Sequence, residues 1–143
     1  MRSIKHVLNT WLVAIHIFSI LMLFYDAVSS GRAALWLLLP MALFGALFSL
    51  ASLVFCLLLI SPIIKAVVPA SAKLYLWMLT VSLSIVLNAA LICYALFGSF
   101  IIWQELPFVG CAVTAALIAI LLRLQFFFQI ATFQTKTYEK DLV

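Results

Sequence analysis

Four long apolar stretches, separated by three short polar connections, make up most of the chain. Each stretch has the roughly 20 apolar residues that an α-helix needs to cross a bilayer core about 30 Å thick. The predicted membrane-spanning helices lie at about residues 7–28, 33–60, 74–98 and 107–130. Because the connections are short, consecutive helices are expected to run in opposite directions. The sequence therefore predicts an all-α polytopic membrane protein with four transmembrane helices in an up-down bundle.

The composition supports a location in lipid and leaves no room for a soluble domain. Hydrophobic residues make up 69% of the sequence and charged residues 8%, whereas soluble domains have about 45–50% apolar and about 25% charged residues. Residues 1–143 are therefore expected to form a single transmembrane domain in contact with the lipid bilayer. The net charge of +4 does not indicate a nucleic-acid partner. The basic residues are scattered at span ends and form no basic stripe with stacking aromatic side chains.

The positions of the basic residues predict the orientation of the spans. Cytoplasmic loops of membrane proteins are enriched in lysine and arginine. If both termini are cytoplasmic, seven basic residues lie at or near the inner surface and one lies outside. The inner set is Arg2, Lys5, Lys65, Lys73, Arg123, Lys136 and Lys140, and the outer residue is Arg32. We therefore expect both termini in the cytoplasm and a multi-pass protein in the cell inner or plasma membrane.

Prolines and glycines predict where the spans begin and end. Pro40 lies about two turns into the second stretch, which predicts either a kink or a short interfacial piece before the main helix. Gly98 is expected to end the third span, and Pro107 is expected in the first turn of the fourth. Residues 61–73 are predicted to form the longest loop and to lie on the membrane surface. The fourth span is expected to continue as a helix beyond the lipid through Gln134.

The first span carries a row of polar residues: Asn9, His16, Ser19 and Asp26. Their offsets of seven, three and seven keep them on one side of a helix. Polar groups in hydrocarbon are costly, so this face is expected to contact protein or water. His16 lies near the bilayer centre and has two interpretations. It belongs to a proton relay or polar conduction path, or it is a neutral imidazole hydrogen-bonded to a neighbouring helix.

Distances along the helix exclude two specific kinds of site on the first span, a hydrolytic triad and a haem site. His16 and Asp26 are ten residues apart, or about 15 Å, so they cannot form a hydrolytic triad with Ser19 in one helix. His6 and His16 have the same separation, so one chain cannot supply both axial ligands of a haem. The cysteines have no metal-ligand spacing: they are Cys56, Cys93 and Cys111. The sequence therefore predicts no catalytic residue, no metal site and no cofactor.

The third span has a second polar stripe, which consists of Thr80, Ser84 and Asn88 at offsets of four. The first and third spans run in the same direction, so Ser84 and Asn88 are expected at about the depth of His16. They are therefore its candidate partners in an interhelical hydrogen-bond network. Such hydrogen bonds contribute about 0.6 kcal/mol on average, which fixes helix register without implying a function.

Small residues on the second span predict a packing face. Gly45, Ser49 and Ser52 follow one another at offsets of four and three, and Cys56 continues the row. Small side chains let helix backbones approach closely, and van der Waals contact is then the main source of helix association in lipid. The fourth span has a line of alanines as well as a separate polar side. Two specialised faces on one helix indicate an oligomer.

Arg123 lies about one turn before the inner boundary of the fourth span. One interpretation is that its long side chain reaches the lipid headgroups from that position. The other is a ring of Arg123 side chains at the inner mouth of an oligomeric pore, where each contacts an anion or a lipid phosphate. The sequence leaves both interpretations open.

Two functions from different classes fit these features. The first is a non-enzymatic integral membrane subunit that associates with itself or with another membrane protein, as accessory, immunity or defence components do. The second is a homo-oligomeric channel or small transporter with a polar path lined by the first span. In a pore, the polar face of the first span should surround a continuous hydrated path. In a subunit, that face should be buried against the third and fourth spans, with a lipid-exposed or partner-covered face elsewhere.

Overall fold

The described part of the chain folds into five α-helices packed as a bundle. A computed structural model describes residues 2–31, 36, 38–98 and 106–140, with the side chains of 2, 96, 97 and 133–140 not described. The helices are α1 (Arg2–Ser30), α2 (Leu38–Lys65), α3 (Ala70–Phe97), α4 (Leu106–Leu122) and α5 (Leu124–Lys140). Within the described residues, α1, α2 and α3 are each long and apolar enough to cross a membrane, and α4 with α5 forms a bent pair that makes a fourth candidate. The prediction of an all-α, multi-pass membrane protein is confirmed to this extent.

The first four helices form a ring in which chain neighbours pack side by side. α1 packs against α2 and α4, and α3 packs against the same two helices from the opposite side. Phe18 lies against Gly45, whereas Trp11 is hydrogen-bonded to Ser49. The residue order is reversed between the two helices, so α1 and α2 are antiparallel. This arrangement places α1 and α3 diagonally across the bundle.

The second helix begins later than the apolar stretch does. α2 starts at Leu38, which puts Pro40 in its first turn. The first N–H groups of a helix have no intrahelical acceptor, so a proline there removes no hydrogen bond. Two alternatives were predicted for Pro40: a kink in the helix, or a main helix that begins only after the start of the apolar stretch. The structure has the second. Residues 32–35 and 37 lie outside the described part of the chain.

The predicted loop over residues 61–73 is largely helical, which corrects the sequence interpretation. α2 continues through Pro62 to Lys65, and α3 begins at Ala70. Ile60 and Ile64 are each 1% exposed and lie one turn apart, so their burial holds the last turn of α2 against the bundle. Lys73 is buried, and its Nζ donates a 2.8 Å hydrogen bond to the carbonyl oxygen of Ile64. This contact satisfies one of the carbonyl groups that a helix end leaves unpaired.

Two predicted helix boundaries are confirmed. Gly98 follows the last residue of α3 with a φ of 66°, and its N–H donates to the carbonyl of Tyr94 at 2.9 Å. This left-handed conformation is easily adopted only by glycine, which explains why the helix ends there. Pro107 lies in the first turn of α4. Residues 99–105 between them lie outside the described part of the chain.

The fourth apolar stretch is broken at Arg123, where a continuous helix was predicted. The axes of Leu106–Leu122 and Leu124–Thr132 differ by 62°. At the break, the N–H of Arg123 donates to Ile120 at 3.1 Å, three residues back instead of four. The bend turns α5 back across the end of the bundle that carries the N-terminus, where it contacts α1, α2 and α3.

Burial of α5 side chains gives the physical reason for this bend. Phe127 is fully buried and Ala131 is 1% exposed, one turn further along the same face. They join a cluster of buried apolar side chains that includes Val7, Ile64 and Trp77. Burying a phenylalanine side chain gains about 1.5–3 kcal/mol, which offsets the loss of a continuous helix. A cluster of buried apolar side chains therefore covers the N-terminal end of the bundle.

Large apolar side chains cover the outer surface of the four-helix ring. Phe24, Leu47, Leu58 and Leu79 are each about two-thirds exposed. In water, an apolar surface of this kind would be unfavourable, whereas lipid tails solvate it. This distribution agrees with contact between the described helices and a lipid bilayer.

Gly45→Ala tests the close approach of α2 to α1. A Cβ atom at Gly45 would lie 2.9 Å from Cδ1 of Phe18. Phe18 is 5% exposed and packs edge-on against Phe108, with ring centroids 5.0 Å apart, so its ring has little space to move. The substitution should lower the free energy of unfolding by about 1–3 kcal/mol. Thermal unfolding in detergent, followed by circular dichroism, measures this change.

Gly110→Ala is the matched control for that variant. A Cβ at Gly110 meets nothing within 4 Å. Alanine favours a helix over glycine by up to about 1 kcal/mol, so this variant should be neutral or more stable. Equal melting temperatures for the two variants would contradict a close contact at Gly45.

Candidate functional site

The polar residues of the first span do not share one environment. Ser19 is 2% exposed, and its Oγ donates a 2.9 Å hydrogen bond to the carbonyl of Ile15 in its own helix. His16 is exposed on the outer surface of the bundle, whereas Asn9 and Asp26 are half-buried. The face predicted from the offsets is therefore divided, with Ser19 turned into the bundle and His16 turned out of it.

His16 occupies the middle of α1, which runs from Arg2 to Ser30. Its Nδ1 lies 2.7 Å from the carbonyl oxygen of Leu12. A carbonyl oxygen only accepts, so Nδ1 carries the hydrogen of this bond. In the neutral ring Nε2 is then an acceptor, and it has no donor among the residues that the structure describes. A polar atom in need of a partner therefore lies on the outside of the bundle, about 20 Å from either end of the helix.

The predicted partners of His16 bind a different helix. Ser84 is 4% exposed, and its carbonyl oxygen accepts a 3.2 Å hydrogen bond from Ser52 of α2. Asn88 donates through its side-chain amide to the carbonyl of Phe48, also in α2. The two residues link α3 to its neighbour α2, because α1 lies diagonally opposite. The structure does not bring them to His16.

The small residues of α2 lie at contacts within the chain. Gly45 faces the ring of Phe18, and the Oγ of Ser49 accepts a 2.8 Å hydrogen bond from the indole Nε1 of Trp11. Ser52 is hydrogen-bonded to α3 on the other side. The ridge therefore holds α2 between α1 and α3. An association surface has to be sought on another part of the bundle.

Arg123 lies at the break between α4 and α5 and is half-buried. The central carbon of its guanidinium lies 5.0 Å from the ring centroid of Phe126, within the range of a cation–π contact. Its Nε is buried and has no hydrogen-bond partner among the described residues.

His6 is a buried polar residue that was considered from the sequence only as a haem ligand. Its side chain is 3% exposed and lies beside Phe127, with ring centroids 6.0 Å apart. Neither ring nitrogen has a hydrogen-bond partner in the described structure. The burial depends on α5 folding back over the N-terminus. The residue offsets along α1 could not have predicted this burial. It depends on the bend at Arg123, which has no local sequence signal.

A cavity of about 340 Å³ lies between the four helices of the ring. It is lined by side chains from α1, α2, α3 and α4, and most of them are apolar. Ser84, Asn88 and the small residues of α2 contribute to its wall, whereas the polar row of the first span does not. Within the described residues, no three His, Cys, Asp or Glu side chains are grouped closely enough to hold a metal ion.

Ser49→Ala tests the hydrogen bond between α1 and α2. The change leaves the Nε1 donor of Trp11 unpaired in a partly buried position, which costs about 1–3 kcal/mol. Ser19→Ala is the matched control. The Oγ of Ser19 donates only to the carbonyl of Ile15 in the same helix, so its removal breaks no bond between helices. Thermal unfolding in detergent should show a larger loss of stability for Ser49→Ala. A loss of equal size in both variants would contradict the importance of the interhelical bond.

Comparison with known proteins does not assign a family to this bundle. The chain matches no family model, no curated protein and no solved structure. Its function has to be inferred from its own residues. The two features with the most chemical content are an imidazole exposed in the middle of α1 and a half-open cavity between the four helices of the ring.

Proposed function

We propose that the protein is a non-enzymatic integral membrane subunit that acts by associating with itself or with another membrane protein. The outer face of α1 around His16 is the proposed association surface. One observation carries this proposal: an imidazole with an unpartnered acceptor atom lies on the outside of the bundle, at the midpoint of a membrane-spanning helix.

The energetic argument follows from the properties of hydrocarbon. A polar atom that faces lipid tails loses its hydrogen bonds to water and gains nothing in return. A neighbouring transmembrane helix that brings a donor to Nε2 of His16 removes this cost. The same constraint explains why polar residues inside membranes usually face protein or water. His16 is therefore better accounted for at a helix–helix contact than at a lipid contact.

The surroundings of His16 suit such a contact. Leu12 and Ile20, one turn before and one turn after it, are 49% and 61% exposed on the same side of α1. Residues four apart lie on one helical face, so the three side chains form a continuous apolar strip with one polar atom in its centre. In membranes, van der Waals packing supplies the attraction between helices and a central hydrogen bond fixes their register.

A homo-oligomeric channel is the second candidate, because the same exposed imidazole is also what a pore lined by α1 requires. In that arrangement the α1 helices of several copies surround a polar path that contains Asn9, His16 and Asp26. The inward position of Ser19 does not favour it, since that side chain would face away from such a path. The internal cavity does not favour a pore within one chain either, because His16 does not line it.

The proposed membrane is the cell inner or plasma membrane, with both termini in the cytoplasm. Lys5 and Lys65 are exposed at the same end of the bundle, and Arg123 lies at that end too. An excess of basic residues on one side of a membrane protein is typical of its cytoplasmic side. Arg32, the basic residue expected outside, lies beyond the described residues.

A reporter fusion tests this orientation. A fluorescent protein that folds only in the cytoplasm should be bright when fused after Val143, whereas alkaline phosphatase fused there should be inactive, because it needs the exterior to form its disulfides. The two reporters control for each other's expression. An active phosphatase with a dark fluorescent protein would reverse the proposed topology.

His16→Leu tests the association surface. The substitution removes the acceptor and puts in its place an apolar side chain that packs well on a helix surface. If the chain associates with itself through α1, the dissociation constant should rise roughly three- to thirtyfold, which corresponds to the loss of about 0.6 to 2 kcal/mol from one interhelical hydrogen bond. Light scattering coupled to size-exclusion chromatography in mild detergent measures the assembly. His16→Gln keeps an acceptor and should restore much of the affinity.

Thr114→Leu is the control for adding an apolar side chain at an exposed position of another helix, since Thr114 is exposed in the middle of α4. It should leave the assembly unchanged. An unchanged dissociation constant in His16→Leu would contradict the association proposal. If that variant also loses ion flux in liposomes while its assembly remains intact, the result favours the channel instead.

A further inference from the structure

A narrow strip of side chains holds α5 against the N-terminal end of the bundle. The chain turns by 62° at Arg123, and α5 then lies against α1, α2 and α3. The described side chains of α5 that are fully buried there belong to Phe127 and Ala131, one turn apart. Their neighbours Phe126 and Thr132 are exposed. The position of α5 therefore depends on what lies beneath this strip.

The side chain beneath the strip is His6 of α1. It is 3% exposed, and its ring centroid lies 6.0 Å from that of Phe127. Neither ring nitrogen has a hydrogen-bond partner in the described structure. An imidazolium ion has two N–H donors and a charge, and burying it without partners costs far more than burying the neutral ring. The closed position of α5 therefore suits the neutral form of His6.

The charges near His6 add to this preference. The described charged side chains at this end of the bundle are cations: Lys5, Lys65, Lys73 and Arg123. Arg123 lies one turn before Phe127, whose N–H donates to its carbonyl at 3.1 Å. Among the described side chains, the one carboxylate is that of Asp26, twenty residues from His6 or about 30 Å along α1. The backbone of Glu139 is twelve residues beyond Phe127, or about 18 Å along α5.

We propose that α5 is a pH-sensitive lid, which stays folded over the N-terminal end of the bundle while His6 is neutral and is released when His6 is protonated. The step is the transfer of one proton from water to a ring nitrogen, with no other bond made or broken. The hinge of the lid is the break at Arg123, where the helix is already interrupted. The lid does not depend on the association surface of α1.

The direction of the pH dependence follows from the two positions of α5. When α5 is released, His6 meets water and titrates near the ordinary imidazole pKa of about 6.5. When α5 is closed, burial and the nearby cations oppose protonation. The released form therefore binds more protons in acid, so closure is complete above about pH 6.5 and weakens below it. For one proton, the equilibrium constant for closure falls by at most about tenfold per pH unit, or about thirtyfold by pH 5.

The reactivity of a cysteine placed in the buried strip tests the proposal. Ala131→Cys puts a thiol beneath α5, whereas Thr132→Cys puts one at the exposed neighbouring position. The rate of modification by a water-soluble methanethiosulfonate is measured for each in mild detergent. Dividing the first rate by the second at each pH removes the pH dependence of the thiol itself. The ratio should be low at pH 7.5 and rise up to about thirtyfold by pH 5.

Two histidine variants and two native cysteines are the controls. His6→Leu has no titratable group and suits an apolar environment, so its ratio should stay low at every pH. His16→Gln removes the other histidine of the sequence and should respond as the wild-type protein does. Cys56 and Cys93 are buried and report general unfolding, so they should remain unmodified when the sites of reaction are mapped by peptide mass spectrometry.

Thermal unfolding of the protein without an added cysteine provides a second measurement if Ala131→Cys does not close at pH 7.5. Between pH 7.5 and pH 5, the melting temperature of the wild-type protein should fall by roughly 4–8 °C more than that of His6→Leu, the shift expected for a thirtyfold change in a chain of this size. Equal falls in the two proteins would contradict the proposal.

The labelling experiment has several outcomes that would overturn the lid. A ratio that does not change with pH, or that rises equally in His6→Leu, removes the role of His6. A ratio that falls in acid shows that the closed form holds the imidazolium ion, which reverses the proposed direction. Modification of Cys56 and Cys93 over the same pH range shows that the whole bundle opens, so that α5 is not released by itself.

Discussion

In lipid, a polar atom has no water to bind, so each buried donor or acceptor needs a partner in the protein. This constraint organises the bundle around α2. Each interhelical side-chain hydrogen bond described above has one end on that helix. Trp11 reaches it from α1, whereas Ser84, Asn88 and Lys73 meet it from α3. α4 instead packs through buried alanines, such as Ala116 and Ala119, whose small side chains let the backbones approach. The bundle is thus held by directional contacts on one side and by close apolar packing on the other.

Much of this fold could be predicted because hydrophobic length and helix-breaking residues are local signals. The apolar stretches predicted the helices, and Gly98 and Pro107 predicted two of their ends. The errors arose where distant contacts decide the structure. Residues 61–73 contain two prolines and two lysines, which favour a loop in isolation, but the burial of Ile64 and the contact from Lys73 extend α2 into it. The bend at Arg123 likewise depends on the burial of Phe127 against other helices.

The candidate site was harder to predict than the fold, because residue offsets define a helical face without showing what that face meets. Ser19 and His16 are only three residues apart, yet the first is buried and the second is exposed. Ser84 binds a different neighbour from the predicted one, since the ring order of the helices places α3 diagonally from α1. The cavity has no signature along any one helix. It arises only where small side chains of four helices reach the same level.

The position of α5 determines the order in which the protein is completed during synthesis. A chain is made from its N-terminus, and the early segments begin to fold first. The space beside His6 and Val7, however, is filled by Phe127 and Ala131, which come much later in the chain. The first turns of α1 therefore remain uncovered until α5 has been synthesised and has folded back onto them. This end of the bundle is completed after the four helices of the ring have been made, and it cannot be completed without α5.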